Sequence, residues 1–461
     1  MTPPDPTTDA PAQRSRQVRV QRRSRGAFAL WVTLYLTLVI LPLPLALISL
    51  DPGRGFWINF SVALGFVGLA MFGLQFVMAA RSRIVVHPVG MDVVLQFHKQ
   101  VAYLATVLVF AHPIILFLVN SEFLGLLDVL TSPLRAKFAV TSCVALLVLI
   151  VLSVYRRRLR LSYPAWQFTH AALALVVVVT ALAHALLVGY YIREPWEQAL
   201  WIVLTIAFVA LGIWVRLIKP LLRHRRRWVV ESLERATDDT TTITLRLADP
   251  AAHGDAGFRF EPGQFAWLIA RRSPFALTYH PFSFASSAED HQRVRFTIRE
   301  FDNFSHDVAD LQVGETVYLD GPFGAFVLPD RAPLVLIGAG VGVTPLVSML
   351  ETLADRGDDR PIQLWLGNRR EDSIPCREEI DRAAQRLDLT VTHVISRPSP
   401  TWEGATGRVD GAFVSARTEG LPAGTVFCLC GPDAMMDDVE AALTRAGIPA
   451  DDVRSERFGM V

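Results

Sequence analysis

Cysteine is scarce in this chain: Cys143, Cys376, Cys428 and Cys430 in 461 residues. No two stand as CxxC, so the spacing writes neither a zinc site nor a disulfide framework. Cys143 falls in an apolar run and reads as packing, and the other three suit a reducing compartment. Net charge is nearly absent as well, at +1, which excludes the broad basic field of a nucleic-acid binder. There is no EF-hand loop, and therefore no calcium control of that kind. There is no repeat, and no low-complexity tract beyond the Pro/Thr/Asp-rich start. Residues 1–26 are expected to be a disordered tail. The basic stretch from Arg14 to Arg25 runs straight into an apolar segment with no small-residue cleavage pattern, so it does not read as a signal peptide.

What the chain has in excess is apolar residues: 51% hydrophobic, with a mean hydropathy of +0.34. The excess lies in the first half. A bilayer crossing needs about 20 apolar residues, and six stretches qualify: 27–50, 57–80, 95–119, 138–154, 165–190 and 198–218. Pro42 and Pro44 should kink the first. Orientation follows from the flanks. Arg14, Arg16, Arg19, Arg22, Arg23, Arg25, Arg81, Arg83, Arg156, Arg157, Arg158, Arg160, Arg216, Lys219, Arg223, Arg225, Arg226 and Arg227 fall on one side. Only Arg54, Arg135, Lys137 and Arg193 fall on the other. This alternation places the N-terminus, and everything after the sixth span, in the cytoplasm.

Two spans carry paired histidines. His98 and His112 lie fourteen residues apart on the third span, and His170 and His184 fourteen apart on the fifth. Fourteen helical residues rise about 21 Å and return to nearly the same face. Both spans run from inside to outside, so His98 matches His170 in depth, and His112 matches His184. An intramembrane ionisable residue is a functional hypothesis by default. A lone histidine would more simply be a helix–helix hydrogen bond or a proton relay. Two matched pairs point instead to two haems, each held by two imidazoles. His87, before Pro88 in a loop, has no counterpart.

From Trp228 the pattern changes to short β-type runs with turn signals, TTTITLRL, GQFAWLIA, RVRFTIRE and ETVYLDGPFG, which predict a small antiparallel barrel or sandwich. Tyr279-His280-Pro281-Phe282-Ser283-Phe284 lies there. A serine hydroxyl after a rigid proline turn can hydrogen-bond a flavin edge, although an ordinary strand edge explains the stretch about as well. Arg299 offers a fork suited to a pyrophosphate or is a surface arginine, and Ser305, at a turn, can cap phosphate oxygens. From Ala332 the pattern is strand, glycine turn, helix: an α/β nucleotide-type domain. Gly338, Gly340 and Gly342 precede Thr344 and Pro345 at a helix start, where backbone and helix terminus favour a pyrophosphate. Their spacing departs from the Rossmann GxGxxG. Ser396 and Arg397 end a strand and can hold a ribose 2′-phosphate, or simply begin a polar loop. Cys430, Gly431 and Pro432 end another strand at the ligand-binding edge of such sheets, where Cys430 is equally an ordinary buried cysteine.

Together these motifs resemble the ferric reductase and NADPH oxidase superfamily. HPFS, GAGVGVTP, DGPFG and CGPDAMM are similar to its ferredoxin-NADP reductase-type module, and the fourteen-spaced histidines are similar to its six-span ferric reductase transmembrane domain. The likeness runs from about residue 27 to 461. The resemblance implies a six-span α-helical haem domain (27–222), an antiparallel β-barrel FAD domain (228–330) and an α/β NADPH domain (331–461). It implies that His280, Pro281, Phe282 and Ser283 contact FAD, and that Arg299 and Ser305 hold its phosphates. It implies that Gly338 to Pro345 hold the NADPH pyrophosphate, with Cys430 near the nicotinamide. Phe458 takes the place of the family's terminal aromatic that stacks on the flavin, although Gly459, Met460 and Val461 follow it here.

The expectation is a multi-pass protein of the cell membrane. NADPH in the cytoplasm reduces FAD, which passes single electrons to the His98/His170 haem and then to the His112/His184 haem. An external ferric chelate or dioxygen accepts them, the latter giving superoxide. Two other readings stand beside it: a transporter with a histidine proton relay and a redox-sensing soluble half, and a haem-free, membrane-anchored flavoprotein reductase.

Overall fold

A computed structural model describes residues 22–48, 54–80, 91–224, 226–250, 257–270, 280–300, 308 and 310–457. The chain forms two compact units, one over Gly26–Pro220 and one that includes Leu221–Val461.

The first unit is helical. Its helices are α1 (Arg22–Ile40), α2 (Pro42–Ile48), α3 (Phe56–Ala79), α4 (Met91–Val119), α5 (Leu134–Val154), α6 (Tyr163–Val188) and α7 (Pro195–Ile213). A π-helical turn, Trp214–Ile218, continues α7 into α8 (Lys219–His224). Among the described residues, five helices are long and apolar enough to cross a membrane, and the first apolar segment is shorter, Ala29–Leu45. It breaks between α1 and α2, where Pro42 removes a backbone donor, as the sequence predicts.

Caps mark the ends. Ser162 accepts from the Ala165 N–H and Gly189 closes α6 at φ +65°, while Glu194 and Glu197 form a capping box on α7. α3 lies against α4, and α5 against α6. The approach of α3 to α4 needs Gly68, where a Cβ would stand 2.5 Å from Val109 Cγ2. Leu104, Val107 and Leu147 point outward from α4 and α5 and are more than half exposed, as lipid-facing side chains are.

The second unit begins with an antiparallel sheet of β1 (Trp228–Thr237), β2 (Thr240–Leu247), β3 (Phe265–Ile269), β4 (His280–Ser283), β5 (Arg293–Arg299) and β6 (Thr316–Phe323). Its order is β4-β3-β6-β1-β2-β5. The edges are joined just past β4, where the Ala285 N–H donates to the Arg295 carbonyl at 2.7 Å, so the sheet closes as a barrel. Trp228, Ile243, Leu245, Phe284, Phe296 and Val317 fill it.

An α/β domain follows: β7 (Leu334–Ala339), α9 (Thr344–Arg356), β8 (Ile362–Asn368), α10 (Arg377–Ala384), β9 (Leu389–Ile395), β10 (Ala405–Thr406), α11 (Gly411–Thr418), β11 (Val426–Cys430), α12 (Asp433–Arg445) and β12 (Val453–Glu456). The sheet is parallel, in the order β10-β9-β8-β7-β11-β12. Leu334 and Leu336 face α9 and α10, while Val335 and Ile337 face α11 and α12. Burial on both faces explains why these strands read as unbroken apolar runs. The chain builds outward from β7 to β10, then returns to place β11 on the other side. That reversal makes the β7/β11 crevice the switch point where such sheets bind ligands.

Candidate functional site

Parallel α4 and α6 bring the four membrane histidines together as two pairs. The rings of His98 and His170 have centres 6.4 Å apart, and those of His112 and His184 6.5 Å apart. A metal bonded to both imidazoles at about 2.0–2.1 Å, with each ring centre about 1.1 Å beyond its nitrogen, sets trans ring centres roughly 6.3 Å apart. Both ring-centre separations match that spacing. Among the described residues there is no group of three or more His, Cys, Asp or Glu side chains able to hold a metal ion. Two imidazoles without further protein ligands suit a metal whose remaining ligands come from a macrocycle, as in haem.

The hydrogen bonds behind the rings decide which nitrogen is available. His112 Nδ1 is 3.0 Å from the Ser61 carbonyl and 3.0 Å from its hydroxyl. His184 Nδ1 is 2.9 Å from the Arg135 carbonyl. A carbonyl only accepts, so both Nδ1 atoms carry the proton and leave Nε2 with its lone pair. His170 Nδ1 lies 3.2 Å from the Ser153 hydroxyl. That hydroxyl donates to the Leu149 carbonyl at 2.8 Å and accepts from Trp166 Nε1 at 3.3 Å. Its proton being used, it accepts from His170 too. Three rings are thus held in the tautomer that metal-ligating histidines adopt. Sequence reasoning missed Ser61, Ser153 and the Arg135 carbonyl. A serine inside an apolar span is a signal, but its partner, 51 residues along the chain for Ser61, is set by packing. Beyond the His112/His184 pair, the guanidiniums of Arg54 and Arg193 stand 3.7 and 4.7 Å from the Tyr190 ring centre.

In the barrel, β4 carries His280, Pro281, Phe282 and Ser283, paired with β3 so that Ser283 lies opposite Phe265 and His280 opposite Leu268. His280, Pro281 and Phe282 are half-buried. Ser283 Oγ is buried with no hydrogen-bond partner among the described residues. A buried hydroxyl left unbonded is costly, so this one is a ready partner for a polar ligand edge. Arg299 ends β5 in an ion pair with Asp239 at 2.6 Å. Partial burial pushes the Asp239 carboxyl up, but the Arg299 hydrogen bond and charge outweigh it and hold it below the usual carboxylate range. The Arg299 fork thus already serves a carboxylate. Ser305 and Phe458 lie outside the described residues.

Around the β7/β11 crevice the glycine turn has the predicted form. Gly338 ends in β7, Gly340 takes φ +52°, and α9 starts at Thr344 with Pro345 in its first turn, where no N–H is missed. A Cβ on Gly342 would lie 2.4 Å from the Cys430 carbonyl oxygen, so only glycine lets the turn meet the end of β11. Gly431 and Pro432 follow and lead into α12. Cys430 itself is fully buried within the core on the α9 side. Burial, and then the nearby Glu456 charge, push its thiol well above the ordinary range, so it is a neutral group at the crevice floor.

Ser396 and Arg397 are exposed past β9. The Ser396 N–H donates to the Asn368 carbonyl at 3.0 Å and the Arg397 N–H to the Arg369 carbonyl at 2.8 Å. Arg369 and Arg397 therefore share one end of the sheet, while Arg370 pairs with Asp372 at 2.6 Å. The sequence also did not reveal that Arg295 on β5 reaches the α/β domain. It bonds Glu351 of α9 at 2.5 Å and the Ala285 carbonyl at 2.7 Å, with Glu379 of α10 at 3.9 Å. Burial opposes its charge, and the two carboxylates more than restore it.

Two protein families match this chain. The ferric reductase like transmembrane component matches residues 64–181, which include His98, His112 and His170 and stop short of His184. The oxidoreductase NAD-binding domain matches residues 336–441. The chain is 29% identical over 247 residues to the propane 2-monooxygenase reductase component of Mycolicibacterium goodii, covering 50% of this chain and 67% of that protein. The corresponding protein of Rhodococcus jostii is 28% identical over 239 residues, with 50% and 62% covered. A solved cytochrome P450 reductase from Amycolatopsis aligns over 50% of this chain and 70% of its own, at 26% identity and a TM-score of 0.44.

Proposed function

We propose that this chain, which matches a ferric reductase like transmembrane component and an oxidoreductase NAD-binding domain, is an NAD(P)H-dependent oxidoreductase of the ferric reductase type that carries electrons from cytoplasmic NADPH, through FAD and two b-type haems, to an external acceptor. Residues 27–222 form the haem domain in this reading, 228–330 the FAD domain and 331–461 the NADPH domain, with the N-terminus and both soluble domains cytoplasmic as the basic flanks require. The observation that carries it is the twin imidazole pairs at 6.4 and 6.5 Å.

When bound, the flavin supplies the conversion from a two-electron hydride donor to one-electron steps. The chain's own groups do the rest. Gly340 and Gly342 admit a pyrophosphate to the turn, and the α9 N-terminus favours its charge. Arg397, with Arg369 at the same edge, offers donors to a 2′-phosphate. Ser283, with half-buried Pro281 and Phe282 beside it on β4, would hold the flavin through its unpartnered Oγ. The neutral Cys430 closes the crevice floor without adding charge beside the nicotinamide. His98, His112, His170 and His184 would hold the two haems, and the apolar packing between α4, α5 and α6 would keep water from the path. A ferric chelate or dioxygen accepts the electrons at the outer face.

The test is a visible spectrum and pyridine haemochrome assay of the purified full-length protein, followed by NADPH oxidation with ferric citrate or dioxygen as acceptor. Two low-spin b-type haems per chain, reduced by NADPH, are expected. A flavin-containing protein without haem would establish the membrane-anchored flavoprotein instead.

A further inference from the structure

Three of the four imidazoles have an Nδ1 partner, and His98 does not: its Nδ1 is buried and unbonded among the described residues. The neighbouring helix supplies a complementary group. Gln75 of α3 is only 8% exposed, deep in an apolar segment where an amide is unwelcome. Its Nε2 donates to the His98 backbone carbonyl at 3.2 Å. Its Oε1 is buried without a partner. One residue thus has a ring nitrogen in need of an acceptor, and the amide already bonded to that residue has an acceptor in need of a donor.

For Nε2 of His98 to ligate a metal, Nδ1 must carry the ring proton. Resting on the bis-histidine haem reading, we propose that Gln75 is a positioning residue for His98: the two groups, not bonded to each other in this structure, would turn to meet when the imidazole ligates a metal, the amide oxygen accepting the Nδ1 proton. Such partners fix ring orientation and raise ligand basicity. Gln75 then does for His98 what Ser153 does for His170, and the Ser61 and Arg135 carbonyls for the outer pair. A buried polar group nearby that also lacks a partner is the Tyr35 hydroxyl, whose ring stands edge-on to Phe97 with centres 5.2 Å apart. No hydrogen bond ties it to His98, whereas Gln75 has one. The plainer role for Gln75 is to join α3 to α4 through its backbone bond alone.

Gln75→Glu separates the two roles, because it loses the amide donor and keeps an acceptor oxygen. The experiment compares wild type, Gln75→Leu, Gln75→Glu and Tyr35→Phe as full-length proteins by haem content, redox titration of each haem, and low-spin EPR g-values. In Gln75→Leu one of the two potentials should rise, as that imidazole becomes a weaker donor, and the other should stay. In Gln75→Glu the same potential should fall and the g-values of that haem should move oppositely. Tyr35→Phe should match wild type. If Gln75→Leu loses one haem, Gln75→Glu should retain it. The proposal is overturned if Leu and Glu variants behave alike, if neither moves a potential while haem is retained, or if Tyr35→Phe alone reproduces the shift. A wild-type protein without haem would instead sink the reading on which it rests.

Discussion

The two units differ in what answers their buried polar side chains. In the α/β domain and barrel, polar side chains are mostly answered within the protein: Thr352 donates to the Ser348 carbonyl and Ser348 to the Ser286 carbonyl, each at 2.7 Å, and Arg295 has its two carboxylates. Ser283, whose Oγ has no partner among the described residues, is one that is not. The membrane unit instead presents imidazoles whose Nδ1 atoms are bonded in three of four rings and whose ring centres pair at 6.4 and 6.5 Å. One unit carries its candidate ligand sites at strand ends, while the other carries its candidate ligands between its helices. Unpaired polar groups cost most in a low-dielectric setting, so the helical unit should depend far more on its cofactors.

The largest effect should come from removing a ring. His170→Leu should lose one haem and His184→Leu the other, each leaving one per chain by pyridine haemochrome assay; two haems in either variant would falsify the ligand assignment. The comparison sharpens with the soluble half alone, from Trp228 to Val461. Its cores are its own, so it should fold without the helices, bind FAD and reduce a soluble dye with NADPH. A folded fragment by circular dichroism that takes up no flavin would count against the barrel's role.

A smaller effect is expected at the sheet edge. Wild type should prefer NADPH, and Arg397→Ala should raise KM for NADPH roughly ten- to a hundred-fold, the worth of a charge-assisted bond of about 1.5–3 kcal/mol. NADH, lacking the 2′-phosphate, should be little affected. Equal losses for both nucleotides would make Arg397 a structural residue. Arg369, at the same edge, should blunt the effect. Smallest is Ser283→Ala, which removes a neutral hydrogen bond worth about 0.5–1.5 kcal/mol. NADPH-to-dye turnover should fall roughly three- to ten-fold with FAD content unchanged. If turnover is untouched, the buried hydroxyl has some other use.

Much of this was legible before folding was considered. Apolar length announced the helices because a bilayer crossing is a one-dimensional property of the chain. Pro42 announced the break between α1 and α2, and the glycine turn announced the β7–α9 junction, because both are set by local backbone constraints. The π-helical turn at Trp214–Ile218 gave no such sign, since a single widened turn changes no residue type. The ion pair of Arg295 with Glu351 was equally hidden, because it joins residues of two domains that lie 56 positions apart in the chain.

The sequence by itself determined how far apart the histidines lie along each helix, since fourteen residues of rise and rotation follow from helix geometry alone. It determined the chemistry available at each strand end for the same reason: neighbours in the chain are neighbours in a turn. Only the tertiary structure decided that the ring centres pair at 6.4 and 6.5 Å. Only it decided that Ser61, Ser153 and the Arg135 carbonyl take the Nδ1 protons, and that Gln75 lies against His98. Those contacts join residues on different helices, and their distances are set by how side chains interlock across the interface, which no spacing along one chain records.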